Sequence, residues 1–352
     1  MVSLVIPTLN SGRTLAACLE SIRSQAFPRD NLEIVIADAG STDDTLVIAA
    51  RYGADRVVPN PLQTGEAGKA AAIAASRGEF IALIDSDNVL PDGDWLTRML
   101  APFADERVVG TEPLEYTWRP QDPALTRYFA LLGMNDPLCL FLGNYDRLSR
   151  VTGRWTEIAV EQEDCGGYLR VRLDPAGLPT IGANGFVLRR ALLQHVSWQP
   201  YFFDIDIVQQ AAAAGFRDVA KVKCGIVHLY CDTLGQFARK QRRRIRDYLF
   251  FSSARQRTYP WDRRRRAGVA RFAAATLLVL PLLVQAWRGW RRRPDAAWLY
   301  HLPVCFLTLA VYGAAAVRRA LGFPPPAPAR QGWQASDRPA GSPARAPGEL
   351  PP

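Results

Sequence analysis

The sequence predicts an α/β fold with a mostly parallel sheet and helices packed beside it. Three observations carry that expectation. Short apolar runs alternate with segments of helical apolar spacing from residue 2 to about residue 111, the pattern of strand–helix–strand units. Polar clusters stand where several of those runs end, at the edge where open α/β sheets receive ligands. The chain has 352 residues, 48% of them hydrophobic, enough for one large domain with additions.

VSLVIP (2–7), LEIVIAD (32–38), DRVV (55–58), EFIALID (79–85) and RVVG (107–110) read as strands, being short, apolar and rich in β-branched residues. Between them TLAACLESIRSQ, DDTLVIAARYG and GKAAAIAASRG have helical spacing. Ser11 is available as N-cap of the first, and Ser41 or Thr42 of the second. Residues 112–178 are irregular, and their apolar stretch RYFALLGMNDPLCLFLGNYDR (127–147) fits either extra core or a membrane-facing or acceptor-binding loop. A second ordered block runs through PTIGANGFVLRRALL (179–193), YFFDIDIVQQAAAAGF (201–216) and VAKVKCGIVHLY (219–230). Beyond residue 322 the chain is rich in Pro, Ala and Gly and is expected to be disordered.

The net charge of +9 averages unlike parts: residues 1–238 sum to −8, residues 239–266 to +10 and residues 267–352 to +7. An acidic body with a basic C-terminal third suits an anionic surface, nucleic acid or lipid. The segments 272–287 and 296–317 hold no charged side chain, which favours lipid over nucleic acid. Spanning needs about 20 apolar residues, so the second qualifies and the first is short. Trp287, Trp290, Trp298 and Tyr300 stand at segment ends, where amphipathic rings favour the bilayer interface. Arginines flank every end, so a two-pass hairpin would leave the 288–293 arginines on the far side, against the positive-inside tendency. Helices lying in one leaflet avoid that conflict; both arrangements stay open. Six cysteines show no zinc or CxxC spacing and read as free thiols. The first strand begins almost at residue 1, with no signal peptide. The expected location is the cell membrane with the body on the cytosolic side.

Three DxD triplets occur: Asp85/Asp87, Asp92/Asp94 and Asp204/Asp206. Asp92 and Asp94 follow Pro91 and suit a helix start. Only the first pair closes a strand. Together with Pro7–Asn10 and Asp38–Ser41 after two other strands, it suits a nucleotide and a hard cation, Mg2+ or Mn2+, held by carboxylates, phosphates and water. No GxGxxG follows the first strand, and GEAGKA (65–70) is not a P-loop, which argues against dinucleotide oxidoreductases and P-loop enzymes.

VSLVIPTLNSGRTLAACLESIRSQ, EIVIADAGSTDDT, GKAAAIAASRGEFIALIDSDNVLP and FFDIDIVQQAAAAGF, in that order, resemble the motifs of the family 2 glycosyltransferases, which have the GT-A fold. The resemblance covers roughly residues 1–250. It implies that Pro7, Thr8 and Asn10 lie near a nucleotide and that Asp38 contacts its base. Ala39 stands where many members carry a second acid, so the base contacts differ. Lys69 falls about where relatives have a basic residue near the nucleotide; alternatively it is a solvated helix-end lysine. Asp85 would touch ribose or metal, and Asp87 would be the main metal ligand, with His228 near metal or diphosphate or else in the core. Gly182, Ala183, Asn184 and Gly185 resemble the loop beside donor sugar and acceptor. In FFDID, Phe203 replaces a Glu, Asp204 falls at the catalytic-base position and Asp206 two residues further. Gln241, Arg242 and Arg244 resemble the Q-R-x-R-W element of processive members, with Ile245 in place of the stacking Trp.

The resemblance implies a GT-A domain over 1–235, and composition adds a basic amphipathic, juxtamembrane segment over 236–266, two hydrophobic membrane helices over 267–320 and a disordered Pro-rich tail over 321–352. The expected activity is metal-dependent, inverting transfer of a single sugar. The donor is a nucleotide-diphospho-sugar, and the acceptor a polyprenyl phosphate or lipid-linked glycan. A catalytically silent membrane scaffold and a sugar nucleotidyltransferase are the alternatives.

Overall fold

The computed structural model describes residues 1–253, 257–259 and 262–324. The Pro-rich tail from 325 onward and Arg255 of the basic run lie outside the described residues. Helices and strands alternate as the spacing predicts: β1 (Val2–Thr8), α1 (Gly12–Arg23), β2 (Leu32–Asp38), α2 (Thr45–Arg51), β3 (Arg56–Pro59), α3 (Gly65–Ala75) and β4 (Phe80–Leu83). A short β5 (Asn88–Val89), α4 (Trp95–Leu100) and a long β6 (Val108–Thr117) follow. The stretch that the sequence left unread forms α5 (Ala124–Leu132), α6 (Leu138–Leu142) and the hairpin β7 (Glu161–Asp164) and β8 (Tyr168–Arg172). Then come β9 (Phe186–Arg189), α7 (Asp204–Ala213), β10 (Asp218–His228) and α8 (Leu234–Ser253).

The sheet order is β3-β2-β1-β4-β9-β6-β10-β8-β7, with β5 pairing β10 off that path. The first four strands are parallel; β9 enters antiparallel between β4 and β6, and β6 pairs β10 in parallel. β1 and β2 read as continuous apolar runs because the sheet is covered on both faces. On one face Leu4, Ile6, Ile34 and Ile36 meet Leu15, Leu19 and Ile22 of α1. On the other, Val5, Val35, Ile81 and Leu83 meet Ala70 and Ile73 of α3 and Ile207 and Val208 of α7.

Two element boundaries differ from expectation, each for a local polar reason. Neither Ser41 nor Thr42 caps α2, whose N-cap position is Asp44. Ser41 is drawn to Asp38 through Oγ (2.6 Å) and N (2.8 Å), and the Thr42 amide donates to Asn10 Oδ1 at 2.9 Å. β4 stops at Leu83, short of Asp85. There the Asp85 amide donates to Asn88 Oδ1 (2.9 Å) and the Asn88 amide returns to the Asp85 carbonyl (2.8 Å), closing a turn. Asp94 does stand at the N-cap position of α4.

The C-terminal part holds three helices where two were expected: α9 (Asp262–Leu278), α10 (Leu280–Arg292) and α11 (His301–Ala320). The segment 272–287 is bent by 93° between α9 and α10. Pro281 in the first turn of α10 has no amide to continue the preceding helix, and Val279 takes φ +62° at the break. Ala296–Ala320 is long and apolar enough to cross a membrane. Two of these helices lean on the body, α9 on α6 and α11 on α8, and Trp298 in the turn between α10 and α11 packs against Tyr128 of α5.

Candidate functional site

The Asp85–Asn88 turn lies at the carboxyl end of β4, and pairing with β10 fixes it. His228 pairs Asn88 in antiparallel register, and the Leu229 amide donates to the Asp87 carbonyl at 2.8 Å. His228 Nε2 therefore comes within 3.3 Å of Asp87 Oδ1, and its Nδ1 meets Asn135 Nδ2 at 3.1 Å. Lys240 of α8 approaches Asp87 Oδ2 to 3.2 Å. Burial opposes the charge on Asp87, but His228 and Lys240 outweigh it and hold the carboxyl well below the usual carboxylate range. An ionised carboxylate beside an imidazole is a donor set for Mg2+ or Mn2+. Among the described residues no group of three His, Cys, Asp or Glu side chains forms a cage.

α3 is capped by Thr64, whose Oγ1 accepts from the Ala67 amide at 3.1 Å, and its buried face carries Lys69 into the cleft. Lys69 is 6% exposed, so it is not a solvated helix-end lysine. Its ammonium lies 2.5 Å from Asp204 Oδ2 and 3.5 Å from Asp85 Oδ1. Asp204 opens α7. Gly182 lets the 182–185 loop lie against it: at φ +135°, a Cβ there would stand 2.7 Å from the Asp204 carbonyl oxygen. Burial pushes the Asp204 carboxyl up to about 7, against the pull of Lys69 and with help from Asp85. Its Oδ1 is buried and has no hydrogen-bond partner.

The 182–185 loop is held from beneath by buried charges. The Gly182 amide donates to Glu112 Oε1 at 2.9 Å, and Arg147 donates to the carbonyls of Ala183 (2.9 Å) and Asn184 (3.2 Å). Glu112 Oε2 pairs Arg147 and Lys221, each at 2.6 Å. Burial pushes Lys221 down to about 8. Asn184 bonds Tyr116 Oη (3.0 Å) and Asn88 (3.1 Å), which ties the loop to the Asp85–Asn88 turn.

Pro7, Thr8, Asn10, Lys69, Asp85, Asp87, Ala183, Asn184, Asp204, His228 and Arg244 all line one cleft of about 1350 Å3. Other expected residues stand elsewhere. Asp38 folds its own loop, accepting from Thr8 Oγ1, Ser41 and the Gly40 amide, and Ala39 lines the cleft in its place. Asp206 is 1% exposed and faces away, accepting from Arg257 (2.7 Å) and the Tyr259 amide (3.0 Å). Arg242 is exposed on the outer side of α8. Gln241 is buried and accepts from Arg244 (3.1 Å) and Tyr312 (3.2 Å). The face of α8 toward the cleft includes Lys240, Arg243, Arg244 and Asp247, an i, i+3, i+4, i+7 set, with Ile245, Tyr248, Leu249 and Phe251 beside them. Lys240, Asn135 and the Glu112–Arg147–Lys221 cluster were missed. Only Lys240 left a trace, inside the basic run.

The sequence matches the family described as Glycosyl transferase family 2 over residues 3–196. It is 28% identical to the glycosyltransferase AglE of Haloferax volcanii over 140 residues, 38% of this chain and 45% of that protein. It is 32% identical over 124 residues to the succinoglycan biosynthesis protein ExoA of Rhizobium meliloti, 32% of this chain and 37% of that one. The chain thus spans less than half the length of these relatives. A mannosyltransferase of Pyrobaculum calidifontis, solved with GDP-Man and Mn2+, superposes with a TM-score of 0.51 at 18% identity, covering 91% of this chain and 87% of that one.

Proposed function

The chain belongs to glycosyl transferase family 2 and has the GT-A fold, and on that premise we propose that it transfers one sugar, with inversion, from a nucleotide-diphosphate sugar to a hydroxyl of a lipid-linked glycan at a membrane surface. One observation carries this reading: the Lys69 ammonium joins Asp85, at the donor end, to Asp204, whose other oxygen has no partner. An unmet acceptor atom on a carboxyl poised near 7 suits removal of a hydroxyl proton.

Pro7, Thr8 and Asn10 would face the nucleotide. Asp87, with Asp85 and His228, would hold Mg2+ or Mn2+, the ion reported with the mannosyltransferase neighbour being Mn2+. Bound there, such an ion neutralises charge on the departing diphosphate. Lys69 keeps the Asp204 carboxylate turned, and Asp204 takes the acceptor proton as the hydroxyl attacks the anomeric carbon from the face opposite the diphosphate. The pinned 182–185 loop fixes where the sugar lies between them.

A membrane-surface location is supported by how the C-terminal helices meet the body. Arg292 donates to the carbonyls of Arg150 (3.2 Å) and Val151 (2.6 Å), and Asp295 pairs Arg127 at 3.1 Å. The end of α10 and the turn after it are thus tied to the body, which supports helices resting in the cytosolic leaflet over a two-pass hairpin. Leu277, Leu278, Leu280, Leu283, Trp287 and Trp290 are exposed around the bend, as an interfacial surface requires.

The test is nucleotide-diphosphate release from a panel of nucleotide sugars with Mn2+ and membrane lipid extract, the labelled lipid being identified by mass spectrometry. Asp87→Ala is expected to abolish turnover with the fold retained, and Asp204→Asn to cost about 10²–10⁴-fold in kcat. Substantial turnover by folded Asp87→Ala would overturn the metal assignment.

A further inference from the structure

The cleft extends beyond the groups assigned above. Past Asn135 and Asp136 its walls are mostly apolar, formed by Leu138 and Leu142 of α6, Phe272 of α9, and Leu309, Gly313 and Ala316 of α11, with Arg319 at the far end of that α11 face. Asp136 marks the junction. Tyr312, on the same α11 face, donates to its carboxylate, and Arg244 lies 3.6 Å from it while donating to the Asn135 carbonyl at 3.1 Å. Arg243 lines the cleft one position before Arg244. Cations thus stand where a polar site passes into an apolar one.

Gly313 is informative. It lies within the 20-residue helix α11, where glycine is a poor choice. A Cβ built there meets no heavy atom within 4 Å. Its missing side chain leaves open room on the cleft side.

Resting on the reading of the polar end as the transfer site, we infer that this apolar extension receives the hydrocarbon chain of a lipid whose phosphate or diphosphate head lies against Arg243 and Arg244. The acceptor is then held by its own tail. Charge complementarity supplies the head group, and continuity with the donor cleft places the reacting end at Asp204. The extension is walled by α9 and α11, which also expose Leu277, Leu278 and Phe306, apolar surface that would adjoin the lipid. A peptide would bring amides that these walls cannot satisfy.

The experiment measures binding to the full-length protein in detergent, by native mass spectrometry, for wild type, Gly313→Ala and Gly313→Phe. The probes are undecaprenyl phosphate, phosphatidic acid and the short-chain dimethylallyl phosphate. UDP and GDP with Mn2+ are measured alongside by calorimetry. Wild type is expected to take one copy of at least one long-chain phosphate, and Gly313→Phe to weaken it at least about tenfold by filling the extension. Gly313→Ala should stay within about twofold, and the short probe and the nucleotides should be unmoved by either substitution. Preference for undecaprenyl phosphate names a polyprenyl lipid; preference for phosphatidic acid names a glycerolipid. Wild type that binds neither long-chain lipid, or Gly313→Phe that binds them as wild type does, overturns the inference while nucleotide binding leaves the donor site standing. Absence of all nucleotide binding removes the donor-site reading instead.

Discussion

Lys69 and Asp204 are 135 positions apart and share one proton-rich contact of 2.5 Å. Each was a candidate from its motif, yet their pairing was invisible in the sequence because it depends on how α3 and α7 meet across the sheet. Asp38 and Asp206 had equally good motif positions, and the structure uses both to hold loops. A carboxylate within a motif looks the same whether it faces ligand or its own backbone. For Asp204 the consequence is a pH dependence. A base must be ionised, and its carboxyl is pushed up to about 7. Transfer to a hydroxyl acceptor should therefore lose about tenfold in kcat/KM per unit as pH falls below that value, and lose this limb in Asp204→Asn. Lys69→Met removes a cation that favours the charged form, so the limb should move to higher pH and kcat at neutral pH should fall at least about tenfold. A pH–rate profile with an unmoved limb would show that another group titrates.

At the level of elements, α8 illustrates how a motif and a helix can disagree. The likeness pointed to Gln241, Arg242 and Arg244, but successive residues diverge around a helix, and the face toward the cleft starts at Lys240. Lys240→Ala is accordingly expected to raise the donor KM at least about tenfold through loss of its contact with Asp87, with Arg242→Ala within about twofold. Steady-state kinetics of the two variants checks this directly. The 112–178 stretch was unreadable for a related reason. Its buried Glu112 and Arg147 look in sequence like any solvated charges, since such residues are rarely buried unless paired. Arg147 is 0% exposed, and its replacement by Met leaves Glu112 short of a cation and two loop carbonyls without a donor. A loss of about 3–5 kcal/mol is expected in urea unfolding. The alternating first half of the sheet was legible from its pattern; the antiparallel entry of β9 between β4 and β6 was not, because pairing order is set by contacts far apart along the chain.

On the scale of the whole molecule, charge and apolar surface are segregated in a way that the composition already suggested. The basic segment and the exposed apolar residues of α9 and α10 lie on adjoining elements, while residues 1–238 are acidic. Full-length protein should co-sediment with anionic vesicles and less with neutral ones. Added salt should weaken the binding without abolishing it, since screening acts on the arginines and leaves the apolar contact. Leu280→Ser with Leu283→Ser should reduce the bound fraction even at low salt, because about 2 kcal/mol is lost per leucine no longer inserted. A cysteine placed at Arg291 should be labelled from the same side of sealed vesicles as the body; labelling from the opposite side would require the two-pass arrangement.

The grip of Arg292 and Asp295 on the body leaves the C-terminal helices without a slack tether. An enzyme on a long leash can rise and fall to meet targets at different distances from the lipid plane. If those helices rest in the lipid as proposed, the clamped segment would set Asp204 at one working height. On the proposed reading, such a site would act as a ruler: once a sugar had been added, the new end would stand one residue too far out to return. A single step in the mass ladder of the lipid product, and no longer series, is the result to expect.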